Sequence, residues 1–199
     1  MKNIIAFFTI ITLILLVSCQ KQAQIPEPIA VPEPIGMSME MGNHSPILQE
    51  ETPIVFGSNK GDYAPDFEIT TVDGKKIRLS ELRYDRPVVL YFWASWCPYC
   101  SIDFDNMKDI YPKYKDDVVF LAVDMDTDEK AERIKWYRDK KELKDIDFAE
   151  GYDKLIADYQ VIYTTSKYAI GRNGTILYKS SGNFNEEQWT KLFRGLAGT

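Results

Sequence analysis

Cysteine is scarce in this chain, with three among 199 residues, at Cys19, Cys97 and Cys100. If the last two pair, nothing remains for a structural disulfide framework, so the cysteines read as functional and stability must come from a packed core. Positive charge is also short: 24 Lys and Arg face 30 Asp and Glu, a formal net charge of −6. Phosphate recognition needs a concentrated basic face, and none is visible, which excludes nucleic acid as a partner. Apolar runs long enough to span a membrane are missing, because the stretch from Ile4 to Val17 falls short of the roughly 20 residues required. Proline ends at Pro112, histidine occurs once as His44, and no long repeat follows the tandem "IPEPIA/VPEPIG". Against these absences stand 45% hydrophobic and 13% aromatic residues, ample for one packed domain with appendages.

The N-terminus has the order of a signal peptide: a basic start at Lys2, the apolar run, then Leu16-Val17-Ser18-Cys19. That tetrapeptide resembles the bacterial lipobox, in which the chain is cut before the cysteine and the thiol is diacylated. The resemblance implies a signal peptide over 1–18 and a lipid anchor at Cys19, placing the rest of the chain outside the cytoplasm. The plainer alternative is an uncleaved signal anchor with an incidental cysteine, which leaves the chain facing the same way. Residues 19–60 carry no amphipathic period. Pro26, Pro28, Pro32 and Pro34 fix φ and donate no hydrogen bond, so this segment is expected to be an extended, disordered linker. Within it Met37, Met39, Met41 and His44 resemble the Met-x-Met clusters of extracytoplasmic copper carriers, and thioethers with imidazole suit Cu(I). The alternative is a polar linker with incidental methionines.

Residues 61–199 read as a folded domain of α/β class, a central mixed sheet flanked by helices with an N-terminal β-hairpin extension. "APDFEITTVDGKKIRLSEL" reads as strand, Asp-Gly turn and strand, with Phe67, Ile69, Ile77 and Leu79 apolar and a helical turn capped by Ser80. "PVVLYFWA" is a continuous apolar run expected to be a central strand covered on both faces. A helix with Ile102, Met107 and Ile110 at helical spacings and the strand "VVFLAVDM" complete a βαβ unit. A charged helix follows, with Ala131, Ile134, Trp136 and Tyr137 toward the core, then a short strand "IDFAE" and a short helix "YDKLIADYQ". A hairpin on Asn173-Gly174 and a helix in "NEEQWTKLFRGLA" close the domain.

The chemistry concentrates in "YFWASWCPYC", Tyr91 to Cys100. Cys97 falls where the central strand ends and a helix begins, so its sulfur meets unpaired backbone N–H groups and the positive end of the helix dipole. In Cys-x-x-C sites of this kind thiol pKa values fall to roughly 3.5–7.5, against about 8.5 for a free cysteine, which makes the first sulfur a nucleophile and a good leaving group. Cys100, one turn deeper, is placed to attack a mixed disulfide at Cys97. Pro98 suits the first helical turn, where its missing N–H would be unpaired anyway. A structural zinc site is disfavoured because it needs four ligands and the motif supplies two.

"FWASWCPYC", preceded by "APDF…DGKKIRLSEL" and followed by a βαββα order, resembles the TlpA/ResA/CcmG family of membrane-tethered thioredoxin-like proteins over roughly Tyr63 to Leu196. The resemblance implies a thioredoxin-like fold and an extracytoplasmic thiol-disulfide oxidoreductase, commonly a reductant in cytochrome c or oxidase assembly. Its partners would be client thiols and disulfides and an upstream thiol donor, with no cofactor beyond the Cys97–Cys100 disulfide. Cys97 would attack, Cys100 resolve and Trp96 pack beside the thiol. Asp103 stands where the family carries a carboxylate proposed to move a proton; an exposed first-turn acid is the alternative. The buried aspartate of cytoplasmic thioredoxins is replaced by Tyr91. Thr165 stands at the family's cis-proline position, so the Thr164–Thr165 bond is either a strained cis bond or trans with a rearranged loop, and Thr165 is expected to bring a hydroxyl near the sulfurs.

Two other functional classes compete. A metal-binding protein would use Met37, Met39, Met41, His44 and the dithiol for copper, or share an iron–sulfur cluster between two copies. Copper chaperones of the Sco type resemble this fold but use Cys-x-x-x-C and a distal domain histidine, and this domain has neither. A thiol peroxidase is third, and the Pro-x-x-x-Thr-x-x-Cys pattern of peroxiredoxins is absent.

Overall fold

The computed structural model of the chain describes residues 54–199. Cys19, Met37, Met39, Met41 and His44, with the expected signal peptide and most of the linker, lie outside the described residues. Residues just before the expected domain start already pair with it: Tyr63 N–H donates to Val55 O and Gly57 N–H to Tyr63 O.

The hairpin extension is a two-stranded sheet, β1 (Glu68–Thr70) against β2 (Lys76–Arg78), with Ile69 opposite Ile77. Gly74 takes φ +83 in its turn, a conformation only glycine enters without steric cost. Helix α1 (Leu79–Asp85) follows directly. Its N-cap is Arg78 and not the expected Ser80, whose N–H and hydroxyl both donate to the Asp66 carboxylate. Asp66 therefore ties the helix start to the strand entrance, the work a local cap would have done.

Strand β3 (Val88–Trp93) is buried along its whole length, as its unbroken apolar run requires. Helix α2 (Pro98–Met107) leads to β4 (Val119–Asp124), which pairs with β3 in parallel. Helix α3 (Ala131–Lys140) leads in turn to β5 (Asp147–Glu150), parallel to β4. After α4 (Asp153–Asp158) the chain returns through β6 (Ser166–Ile170), antiparallel to β3, and β7 (Ile176–Ser180), before ending in α5 (Glu186–Ala197). The sheet order is β5-β4-β3-β6-β7, a thioredoxin-like mixed sheet with β3 at its centre.

Alternation along β3 divides the core in two. Val89, Tyr91 and Trp93 face α2, α3 and α5, while Val88, Leu90 and Phe92 face the hairpin and α4. Helix periodicity corrects two expectations. In α2 the inward residues are Cys100, Asp103, Phe104 and Met107, which leaves Ile102 on the outer side and 47% exposed. In α3, Ile134 and Tyr137 fill the core, so Trp136 turns to solvent and Ala131 is only half-buried. Trp136 is sandwiched by its helical neighbours instead, with the Arg133 guanidinium 4.5 Å and the Lys140 amine 4.7 Å from the ring.

Candidate active site

Cys97 is the N-cap of α2, with extended backbone (φ −81°, ψ 109°), and its sulfur accepts the Cys100 N–H at 3.0 Å. Cys97 and Cys100 are joined in a disulfide with Cα atoms 5.3 Å apart. The strand-to-helix junction thus aims one donor of the unsatisfied first turn at the outer sulfur. Cys100 is fully buried behind it. Trp96 and Tyr99 stand out on either side, each 63% exposed. Trp96 donates its indole N–H to Asp126 at 2.7 Å. Together with Cys97, Arg133, Trp136 and Lys140 it lines a cavity of about 270 Å³ beside the motif.

The loop before β6 settles the missing proline. No peptide bond among the described residues is cis, and Thr165 instead enters the left-handed region at φ +67. A non-glycine residue there is strained by roughly 1–3 kcal/mol unless its surroundings hold it. Here the Thr165 hydroxyl accepts the Gly182 N–H at 2.9 Å, and its carbonyl accepts the Lys167 amine at 2.9 Å. The hydroxyl expected near the sulfurs therefore belongs to the other threonine: Thr164 Oγ1 lies 3.2 Å from Cys97 Sγ and can donate to it.

Behind the dithiol lies a charged cluster that the sequence reading did not contain. Asp103 is completely buried, which overturns the exposed-acid alternative. Its Oδ1 accepts the Phe184 N–H at 2.7 Å, and its Oδ2 accepts the Tyr91 hydroxyl at 2.9 Å. Lys167, equally buried, places its amine 3.1 Å from the same Oδ2. Burial pushes the Lys167 amine below its ordinary range, and the Asp103 carboxylate pulls it back. Burial, and then the Asp103 charge, raise the Tyr91 phenol well above its ordinary range. Tyr91 and Lys167 are directly opposed residues of β3 and β6, so both project to the α2 side of the sheet. The ammonium also sits 4.4 Å from the Phe184 ring centre and 5.3 Å from that of Tyr91.

The AhpC/TSA family model matches residues 60–179, which span both the dithiol and the Thr164–Lys167 segment. The chain belongs to the AhpC/TSA family. Thiol-disulfide oxidoreductase ResA of Bacillus cereus (strain ZK / E33L) is 32% identical over 128 residues, covering 64% of this chain and 73% of that protein. The thioredoxin-like protein YneN of Bacillus subtilis (strain 168) is 32% identical over 60% of this chain and 70% of its own. A crystal structure from Chlorobium tepidum, provisionally described as the thiol:disulfide interchange protein DsbE, superposes with a TM-score of 0.61. It shares 26% identity and covers 70% of this chain and 99% of its own. The chain is a thiol-disulfide oxidoreductase.

Within this AhpC/TSA domain a second buried acid supports the turn into the motif. Asp124, at the end of β4, is fully buried and carries its pKa up to about 9. Burial is the larger cause and the neighbouring Glu129 the next. Asp124 Oδ2 has no hydrogen-bond partner among the described residues, and two carboxylates can bond each other only when one holds a proton. Burial acts to raise Glu129 as well, but hydrogen bonds from Asp124 and Ser95 hold it below its usual value. The pair thus retains one proton, carried by Asp124. Glu129 in turn accepts the Ser95 N–H at 3.1 Å and the Ser95 hydroxyl, two residues before Cys97.

The structure brings Cys97, Cys100 and Asp103 together at the start of α2, and sequence reasoning missed Thr164, Lys167 and the Asp124–Glu129 pair. A signal for Lys167 existed. It is the single charge in the strand "SKYAI", and strand alternation puts it with Ala169 on the face of Tyr91. Among the described residues no three His, Cys, Asp or Glu side chains group as a metal site.

Proposed function

We propose that this chain is a lipid-anchored, extracytoplasmic thiol-disulfide oxidoreductase that reduces client disulfides through Cys97 and Cys100, in service of cytochrome c or oxidase assembly. Residues 1–18 act as the signal peptide, Cys19 as the acylated anchor, 19–60 as the spacer and 61–199 as the redox domain. The partners are client cysteines and an upstream thiol donor. No cofactor beyond the disulfide is needed. The observation that carries the reading is the N-cap position of Cys97, whose sulfur accepts the first-turn Cys100 N–H while the Cys100 side chain waits buried one turn deeper. Relatives named thiol-disulfide oxidoreductase across the same domain support the class of chemistry.

The Cys97 thiolate attacks a client disulfide and displaces one client sulfur, helped by the helix terminus and the Thr164 hydroxyl. Cys100 then attacks Cys97 Sγ and releases the second client sulfur, which reforms the disulfide. Reduced full-length protein is expected to cleave a model protein disulfide such as that of insulin. Cys97→Ser abolishes this, and Cys100→Ser accumulates a mixed disulfide seen as a mass shift. Cys19→Ser removes labelling by palmitate. Stoichiometric copper or iron on the purified protein with no disulfide exchange would overturn the reading in favour of metal binding, and efficient turnover of hydrogen peroxide in favour of a peroxidase.

A further inference from the structure

Lys167 is one of two basic side chains buried among the described residues; the other, Arg138, reaches surface carboxylates at Asp73 and Asp139. Lys167 reaches no surface carboxylate. Its amine is held by Asp103, by the Thr165 carbonyl and by the Gly182 carbonyl, and it is walled by Tyr91, Phe184 and Trp189. Enclosing an ammonium among three aromatic rings is costly unless the charge is matched, and Asp103 supplies the match. Asp103 sits three residues after Cys100 on the inward face of α2, so the two side chains are neighbours on one helical surface.

We propose that Lys167 is a positioning residue for the resolving step: it keeps Asp103 as the carboxylate that takes the Cys100 proton, then serves as counter-ion to the thiolate left behind. The proposal rests on the reading of Cys100 as the resolving cysteine. A carboxyl group alone in such apolar surroundings neutralises itself by taking up a proton, and a protonated acid cannot accept another. Lys167 sets an amine 3.1 Å from the Asp103 Oδ2 in that setting.

The step balances. In the mixed disulfide the Cys100 S–H bond breaks and an O–H bond forms on Asp103. The Cys100 thiolate attacks Cys97 Sγ, the Cys97–Cys100 bond forms, and the client sulfur leaves with the bonding pair and takes a proton from solvent. Two electrons pass from the dithiol to the client disulfide. Before the proton moves, the buried charges are ammonium and carboxylate; afterwards they are ammonium and thiolate. The site stays neutral up to the attack, and the positive charge that remains when the client sulfur departs is discharged through Asp103. Asp103 then returns its proton to solvent.

The groups facing Asp103 are Lys167 from β6, the Tyr91 hydroxyl from β3, Cys100 from its own helix and the Phe184 N–H from the loop before α5. Helix α5 presents Trp189, and α3 contributes Tyr137 to the same core. Tyr91 stays protonated at neutral pH, so Lys167 supplies the positive charge alone.

Stopped-flow reduction of 5,5′-dithiobis(2-nitrobenzoate) by the reduced protein separates the two steps, since each releases one chromogenic thiolate. The first phase reports Cys97 and the second Cys100. Lys167→Met is expected to slow the second phase about a hundredfold near neutral pH and make it climb steeply with pH, as solvent base replaces Asp103. Asp103→Asn slows it similarly, and the double variant is slower than Asp103→Asn alone by far less than the Lys167→Met loss, because Lys167 acts chiefly through that carboxylate. A second phase in Lys167→Met within about twofold of wild type, or a double variant in which the two losses multiply, overturns the proposal. If Lys167→Met does not fold, Lys167→Met/Asp103→Asn leaves no unpaired buried charge and decides alone, since a wild-type second phase there also overturns it. Absence of the first phase in the wild-type protein would instead refute the Cys97 reading, and the proposal with it.

Discussion

Thr164 and Thr165 are adjacent and chemically identical, yet they do different work. Thr165 takes the left-handed backbone that turns the chain toward β6, and its hydroxyl is spent on the Gly182 N–H. That turn delivers the Thr164 hydroxyl to the attacking sulfur. A hydrogen bond to a charged acceptor contributes roughly 1.5–3 kcal/mol, so Thr164→Val is expected to slow the Cys97 attack at pH 7 by about tenfold or more. The rate of alkylation of the reduced protein by iodoacetamide, measured against pH, checks this; an unchanged profile would show the hydroxyl to be idle. The position opposite the dithiol was legible from the Asn173-Gly174 turn. Which threonine faces the sulfur was not, because that depends on one backbone dihedral set by contacts with Gly182 and Lys167.

At the scale of elements, the helices that carry the site are fastened at their starts by different means. Helix α2 is capped by Cys97 itself, so the group that begins the helix is the group that reacts. Helix α5, which backs the Asp103–Lys167 pair through Trp189, begins with a capping box: the Asn185 side chain accepts the Gln188 N–H and Gln188 returns a bond to the Asn185 N–H. Asn185→Ala is expected to cost about 1 kcal/mol of stability, read as a lower urea midpoint at unchanged m-value. The strands and most helices were legible because β3 and β4 are unbroken apolar runs and α5 keeps a clear apolar stripe. Trp136 and Ile102 depart from the apolar pattern because each lies off the inward face of its helix, and Trp136 meets two cations of its own helix there.

For the whole molecule, the buried Asp124–Glu129 pair makes stability depend on pH. The folded state keeps a proton on Asp124 up to about pH 9, whereas an unfolded chain releases it near pH 4. Between these values the folded state binds the extra proton, so stability falls as pH rises, by up to about 1.4 kcal/mol per pH unit from this site. The lowered Glu129 acts oppositely, its contribution being present above its unfolded value and lost in acid. Asp124→Asn supplies a permanent donor in place of the proton and should flatten the decline between about pH 6 and 8.5. Urea midpoints at both ends of that range test it, and an equally steep decline in the variant would refute the role of the pair. The Glu129 member of the pair also anchors Ser95 at the turn into Cys97.

Local covalent order was enough to determine the dithiol, its place at a strand-to-helix junction, the alternation of strands and helices, and the carboxylate one turn beyond Cys100. Each of these depends on spacing along the chain, which the sequence states directly. The tertiary structure alone decided that Asp103 is buried, that Lys167 meets it across 64 positions of sequence, and that Thr164 and not Thr165 touches the sulfur. Those outcomes depend on strand register and on which charges the core encloses together. A buried lysine is tolerated only where the fold has already brought its counter-charge, so its role becomes visible only when both partners are seen in place.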